Sequence, residues 1–185
     1  LVNTVQDNYL TVAQQTNRGL DLTVRYGHEF SFGDLTFQGQ FTWQLEDTVS
    51  LFAGNLIDTN GDVGEPDFVG NFDITFDRGD WRYFWGANIV GKASEAEDIG
   101  DTNSAGTIRY KVFTENTITH DVSVRRRFDR IDVTLGISNV FDDHPPALTT
   151  VNLGQYSTEG TSVLASQYDY VGRTAFLSVR YRFQH

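Results

Sequence analysis

Strict alternation of apolar and polar side chains over residues 172–183 limits the folds open to this chain more than any other feature. The apolar series comprises Ala175, Leu177, Val179, Tyr181 and Phe183. Successive side chains of a β-strand point to opposite faces of its sheet, so this pattern predicts a strand with one apolar and one mostly polar face. This strand alone fits a soluble β-sandwich as well as a membrane barrel.

Six earlier segments repeat the alternation, and the connections between them alternate in length. The predicted strands cover residues 17–30, 35–46, 68–76, 81–90, 118–125, 131–138 and 172–183. Tight turns are predicted at residues 31–34, 77–80 and 128–130, and long loops at residues 47–67, 92–113 and 141–169. We therefore predict an all-β fold, an antiparallel up-and-down meander that forms the C-terminal segment, about seven strands, of a large transmembrane β-barrel.

Composition agrees with a barrel and excludes several other classes of protein. The 185 residues include 14 Phe, 8 Tyr, 3 Trp and 17 Gly, which suits an all-β chain. The chain has no cysteine, which excludes disulfides and thiolate metal sites. The net charge of −11 argues against nucleic acid as a partner. No segment is apolar enough for a transmembrane helix, whereas barrel strands are only half apolar.

Charged residues collect on the predicted polar face, which a barrel would turn toward its lumen because charges facing lipid are costly. They are Arg25, Glu29, Asp73, Arg82, Asp121, Arg125, Asp132, Arg180 and Arg182. Two interpretations stay open: contact with a plug or a translocating ligand, and cross-strand ion pairs that keep the wall rigid. The four histidines show no metal-ligand spacing and no catalytic arrangement, so we expect no enzyme activity.

The stretch 46–67 holds six Asp or Glu residues and neither Lys nor Arg. Within it, Asp58, Asn60 and Asp62 place oxygen side chains at i, i+2 and i+4, as the first half of a calcium loop does. Val63 stands where an EF-hand needs Gly, so an EF-hand is not expected. These residues predict either a weak Ca²⁺ site or a plain turn built on Asn60 and Gly61.

Four motifs, in order along the chain, carry a resemblance to a known family. They are N-R-G-L-D-L-T-V-R-Y (residues 17–26), G-E-P-D-F (64–68), G-I-S-N-V-F-D-D-H-P-P (136–146) and Y-D-Y-V-G-R-T-A-F-L-S-V-R-Y-R-F (168–183). Together they resemble the C-terminal barrel part of a TonB-dependent outer-membrane receptor. The chain departs from that pattern by ending in Gln184-His185 rather than on the aromatic residue.

The resemblance implies that residues 1–185 are an incomplete barrel domain in the outer membrane of a Gram-negative bacterium. It implies outer-membrane lipid, a plug domain upstream in the same protein and the TonB complex as partners. It also implies uptake of a scarce small-molecule ligand, such as a siderophore or a carbohydrate, recognised at extracellular loops. The alternatives are a passive porin-like or structural outer-membrane barrel, and a soluble β-sandwich adhesin or lectin.

Overall fold

Antiparallel β-strands make up the regular structure of the described residues. The computed structural model describes residues 14–50, 56–94, 99–103, 106–110, 113–152, 155–162 and 167–183. The strands of these residues are β1 (Gln14–Phe30), β2 (Gly33–Ser50), β3 (Leu56–Asp58), β4 (Phe68–Arg78), β5 (Trp81–Val90), β6 (Ile99–Asn103), β7 (Gly106–Tyr110), β8 (Thr117–Arg127), β9 (Ile131–Ser138), β10 (Ala147–Asn152), β11 (Gln155–Ser162) and β12 (Thr174–Tyr181). Among the described residues, no helix is long and apolar enough to cross a membrane.

Seven long strands form one antiparallel sheet in the order β1-β2-β4-β5-β8-β9-β12. The short strand β3 pairs with the C-terminal end of β2. Tight connections at residues 31–32, 79–80 and 128–130 join consecutive strands into hairpins. The predicted seven-strand meander with alternating short and long connections is therefore confirmed. The outer strands β1 and β12 each have one neighbour among the described strands, so the sheet is open, as expected for part of a barrel.

The strand register places the apolar series of all seven strands on one face. One row of direct partners runs through Tyr26, Phe37, Ile74, Trp85, Val122, Ile137 and Ala175. The adjacent row, on the other face, runs through Gly27, Thr36, Thr75, Phe84, Ser123, Gly136 and Phe176. Leu135 and Leu177 on the apolar face are 60% and 67% exposed to solvent. A contiguous exposed apolar face of this kind marks a surface that contacts lipid or another protein.

Aromatic side chains concentrate on the apolar face near the short turns. The ring centroids of Phe30 and Phe32 lie 5.2 Å apart, and those of Phe32 and Phe76 lie 6.0 Å apart. At the end of the last strand, Tyr181 meets Phe183 edge-on at 4.8 Å. Trp81, Tyr83 and Phe128 lie in the same zone. Aromatic rings of this kind favour the headgroup level of a bilayer, so this zone has the composition of a barrel girdle.

A β-bulge ends the apolar face toward the long loops. Gly19 pairs with Gln44 and Arg18 with Glu46, which leaves Leu45 as the extra residue of β2. A bulge displaces the side-chain alternation of its strand by one position. The Arg18 guanidinium and the Glu46 carboxylate consequently pair, 2.5 Å apart, directly beyond the apolar residues.

The predicted long loops contain more regular structure than the alternation indicated. β2 continues to Ser50 and pairs there with β3, so the expectation of a loop from residue 47 was wrong at its first four positions. The β6–β7 and β10–β11 hairpins lie inside the other two predicted loops. Their sequences lack a sustained apolar series because neither hairpin belongs to the two-faced sheet, and a search for alternation therefore misses them.

Candidate functional site on the polar face

The register confirms that the charged residues predicted to share a face do so, and several of them form ion pairs. The Arg82 guanidinium binds the Asp77 carboxylate through two contacts of 2.6 and 2.7 Å. Asp132, whose side chain is only 14% exposed, receives Arg182 at 2.9 Å. Cross-strand ion pairing, one of the two interpretations left open by the sequence, therefore accounts for Arg82, Asp132 and Arg182.

Asn139, at the end of β9, connects three segments of the polar face. It is 1% exposed and has a φ of 50°, a conformation that asparagine adopts more readily than most residues. Its backbone amide donates to Asp121 Oδ1 at 2.9 Å. Its side-chain amide donates to the Asp143 carbonyl at 2.8 Å and to Asp169 Oδ2 at 3.3 Å, and its Oδ1 accepts from the Asp143 amide. The N-V-F-D-D motif thus begins with a residue that fixes the chain on both sides of the β10–β11 hairpin.

Asp142, in the same motif, ties the end of β9 to the start of the last strand. Its Oδ1 accepts from the Arg173 backbone amide at 2.8 Å, and its Oδ2 lies 3.9 Å from the Arg173 guanidinium. The Arg173 amide, followed by its guanidinium, holds the pKa of the Asp142 carboxyl below its usual range. Gly172 has a φ of 75°, and a Cβ there would lie 2.9 Å from Asp142 Oδ1, so glycine is required for this contact.

A cavity of about 220 Å³ lies on the polar face at the long-loop ends of β5 and β8. Its walls are Asn88, Val90, Thr117, Thr119, Gln167, Tyr168 and Asp169. Tyr168 is 5% exposed, and its hydroxyl approaches Thr114 without completing a hydrogen bond. Burial raises the pKa of the Tyr168 phenol. The Gln167 side-chain nitrogen is also buried without a partner, so the wall of this cavity contains two polar groups with unused hydrogen-bonding capacity.

The acidic stretch draws its partners from other parts of the chain. Asp47 is 2% exposed and accepts a hydrogen bond from Gln15 Nε2 at 3.2 Å. Asp62 is 7% exposed and accepts one from Ser94 Oγ at 3.2 Å. Together with the Arg18–Glu46 ion pair, these contacts fold the stretch onto the ends of the neighbouring strands. The described residues of this stretch, 46–50 and 56–67, therefore pack against the ends of the neighbouring strands.

The structure places Asp58, Asn60 and Asp62 in one tight turn. The Asp62 amide donates to the Thr59 carbonyl at 3.1 Å and Gly61 has a φ of 81°, so the predicted turn on Asn60 and Gly61 is confirmed. Asp58 Oδ1 accepts from the Asn60 backbone amide at 3.1 Å, while Asn60 Oδ1 is buried without a partner. Within the described residues, no three His, Cys, Asp or Glu side chains group as metal ligands. The Ca²⁺ site stays a prediction.

Sequence reasoning missed the residues that organise this face. Asn139 belonged to a recognised motif, but only its positive φ and complete burial show why asparagine is needed. Tyr168 begins another recognised motif, but only the structure shows that it lines a cavity. Ser94 carries no local signal, because its partner Asp62 lies 32 positions away. The Arg18 partner of Glu46 could have been found by pairing the first two predicted strands and allowing for the bulge.

Comparison with known proteins agrees with this architecture. The family model described as TonB dependent receptor-like, beta-barrel, matches residues 1–140 of the 185. The matched part includes the sheet from β1 to β9, and β10 to β12 lie beyond it. Neither the curated proteins nor the solved structures gave a match. The members of this family are receptors and transporters of the Gram-negative outer membrane. Because the match spans most of the chain and its sheet is a two-faced antiparallel meander, this chain belongs to the TonB-dependent receptor β-barrel family.

Proposed function

We propose that this chain forms the C-terminal wall of an outer-membrane receptor barrel that takes up a scarce ligand with energy supplied through TonB. The observation that carries the proposal is the two-faced sheet, with an unbroken apolar row through seven strands beside a polar row. The apolar face would contact lipid, and the polar face would line the lumen, where charges can be hydrated or paired. Residues 1–185 would then be one part of a barrel domain, with a plug domain upstream.

The exposed apolar face favours a membrane barrel over a soluble β-sandwich. A sandwich buries the apolar faces of two sheets against each other. In the described part of the chain, no second sheet covers Leu135, Leu177 or Val179, which are 60%, 67% and 61% exposed. Lipid is the environment in which this face is stable.

The long-loop end of the polar face is the proposed meeting place with the ligand. The cavity beside Tyr168 presents hydroxyl and amide groups, and among the described residues of its wall the only charged one is Asp169. Such a lining favours a neutral, hydroxyl-rich group over an anion, so a carbohydrate fits it better than an anionic siderophore. The capped turn at Asp58 and Asp62 lies at the same end of the sheet, next to Ser94 after β5.

Planar-bilayer conductance of the full-length protein separates a plugged receptor from a porin. A receptor whose lumen is filled by a plug should conduct little at first and should open when urea unfolds the plug. Steady ohmic channels without urea would favour the passive porin instead. Binding of the purified periplasmic domain of TonB to the same protein would test energy coupling, and an absence of binding would contradict it.

A further inference from the structure

Two arginines lie on the apolar face of the sheet, at its short-turn end. Between the bulge beside Gly19 and the short turns, Arg78 and Arg126 are the only Asp, Glu, Lys or Arg residues that the described strands of this sheet place on that face. Both are exposed and stand in one row, because Trp81 lies directly opposite Arg78 on one side and Arg126 on the other. They are called here the interfacial arginine pair.

Neither arginine of the pair forms an ion pair with a described residue. Arg78 makes no hydrogen bond and no ring contact with the described residues either. The guanidinium carbon of Arg126 lies 4.8 Å from the centre of the Trp81 ring and 4.7 Å from that of the Phe128 ring. Arg126 is thus held between two aromatic rings by cation–π contacts, and both positive charges of the pair lack an anion.

The described carboxylates at the short-turn end lie on the other face or in the turns. Those on the polar face are Glu29, Asp34, Asp77 and Asp132, and those in the turns are Asp80 and Asp129. Asp129 lies 3.7 Å from Arg130, which offsets its charge. Even if the charge of Asp80 is counted against the interfacial arginine pair, one positive charge remains on the apolar face.

The pair stands at the depth where a barrel leaves the hydrocarbon of the membrane. Arg78 is four residues from Ile74, which lies near the middle of β4. With a rise of ~3.4 Å per residue and a tilt of ~45°, Arg78 is about 10 Å nearer the short turns, close to the edge of an apolar band ~25 Å tall. Long arginine side chains at this level extend their charge to the lipid headgroups. Short turns of outer-membrane barrels face the periplasm, so these are headgroups of the periplasmic leaflet.

We propose that the interfacial arginine pair binds the phosphate of an anionic phospholipid of the periplasmic leaflet. The proposal rests on the proposed function in one respect, because it requires the apolar face to contact lipid. Charge complementarity carries it: guanidinium groups bind phosphate through paired hydrogen bonds, and no carboxylate of the described strands shares this face with the pair. A zwitterionic headgroup would add a cationic amine beside the two arginines, so a lipid of net negative charge is favoured.

The aromatic contacts of Arg126 prepare it for this role. The rings of Trp81 and Phe128 restrict the guanidinium before any lipid arrives. A side chain that is already ordered loses less conformational entropy when it binds its ligand. Arg78 has no such contact, so Arg126 should contribute more to lipid binding than Arg78 does.

Native mass spectrometry of the folded full-length receptor, released from detergent with added phospholipid, tests the proposal. The wild type should retain phosphatidylglycerol in preference to phosphatidylethanolamine. The variant Arg78→Gln/Arg126→Gln should bind phosphatidylglycerol more weakly by on the order of 30-fold, about fivefold for each arginine. Arg78→Lys/Arg126→Lys keeps the charge and should lose less. Arg125→Gln/Arg180→Gln removes the same charge from the polar face at the same end of the sheet and should leave lipid binding unchanged.

The outcomes separate this proposal from the proposed function. A full-length protein that stays monomeric in buffer without detergent and retains neither phospholipid would contradict the membrane barrel. A barrel that requires detergent, but whose Arg78→Gln/Arg126→Gln variant binds phosphatidylglycerol as the wild type does, would overturn the lipid site alone. Equal retention of the two lipids by the wild type, or an equal loss in the polar-face control, would also overturn it. Displacement of the lipid by millimolar inorganic phosphate would show a site for a free anion, and the assignment to lipid would be wrong.

Discussion

An arginine placed at the centre of the apolar face should destabilise the barrel far more than one placed beside it on the polar face. Ile74 lies in β4, four residues from Arg78 and six from Phe68. With a rise of ~3.4 Å per residue and a tilt of ~45°, it lies about 10 Å from one end of the strand and about 14 Å from the other. Ile74 is thus near the midplane of an apolar band ~25 Å tall.

The two positions differ in what surrounds the new charge. On the apolar face, Ile74 lies between Phe37 and Trp85. Thr75 lies between Thr36 and Phe84 on the polar face, with an aspartate two residues away on each side in the same strand. Arginine at the bilayer midplane of a barrel costs ~2–4 kcal/mol, which is roughly a 30- to 700-fold change in the folding equilibrium.

The assay is reversible denaturant unfolding of the full-length receptor in lipid bilayers, comparing Ile74→Arg with Thr75→Arg. Ile74→Ala reports the cost of losing the side chain without adding charge. We expect Ile74→Arg to lose ~2–4 kcal/mol of unfolding free energy and Thr75→Arg to lose less than about 1 kcal/mol. Equal losses, or a greater loss for Thr75→Arg, would refute the assignment of the two faces.

Three further predictions concern the long-loop end. Asn139→Ala should cost on the order of 1–3 kcal/mol of unfolding free energy, because it removes the buried amide that satisfies the part-buried Asp143 amide and carbonyl; a loss no larger than that of Asn88→Ala would contradict this. The pKa of Asp142 is lower in the folded than in the unfolded state. The stability that its carboxylate contributes is therefore complete above the unfolded pKa of ~3.9 and is lost as the pH falls through the folded pKa. The protection factor of the Arg173 amide, which compares its hydrogen exchange with the intrinsic rate at the same pH, should therefore fall in acid, and in Asp142→Ala it should already be low at neutral pH; a well-protected amide in that variant would be evidence against the contact. Calorimetric titration with Ca²⁺ should show weak, millimolar binding that disappears in Asp58→Ala/Asp62→Ala, and identical heats from both proteins would remove the cation site.

The strands of the main sheet could be predicted because lipid and lumen impose opposite demands on alternate residues. That demand is local in sequence, and β5 was predicted at the bounds observed, residues 81–90. At the bulge beside Gly19 the alternation of apolar and polar residues changes phase. The end of β2 was therefore predicted four residues too early. Beyond the apolar band, no environment requires apolar and polar residues to alternate. The β6–β7 and β10–β11 hairpins therefore could not be predicted from alternation.

The candidate site was predictable in composition and much less so in its contacts. The shared face of Arg82, Asp132 and Arg182 followed from parity along each strand, but their pairing depends on register across strands. That Arg125 lies directly opposite Arg82 emerges only from the register of β5 and β8. The cavity beside Tyr168 depends on residues 167–169, which end the long connection between β9 and β12. No periodicity of the sequence indicates where this segment packs.

Spin labelling along β12 tests the central claim most directly, namely that one face of this sheet contacts lipid and the other lines an aqueous lumen. The chain has no cysteine, so single cysteines can be introduced at each residue of β12, from Thr174 to Tyr181, in a cysteine-free full-length receptor. In lipid vesicles, labels at Ala175, Leu177, Val179 and Tyr181 should be accessible to molecular oxygen and protected from a water-soluble nickel complex. Labels at the intervening positions should show the reverse. Equal accessibility of all positions to the nickel complex would place both faces in water and contradict the membrane barrel.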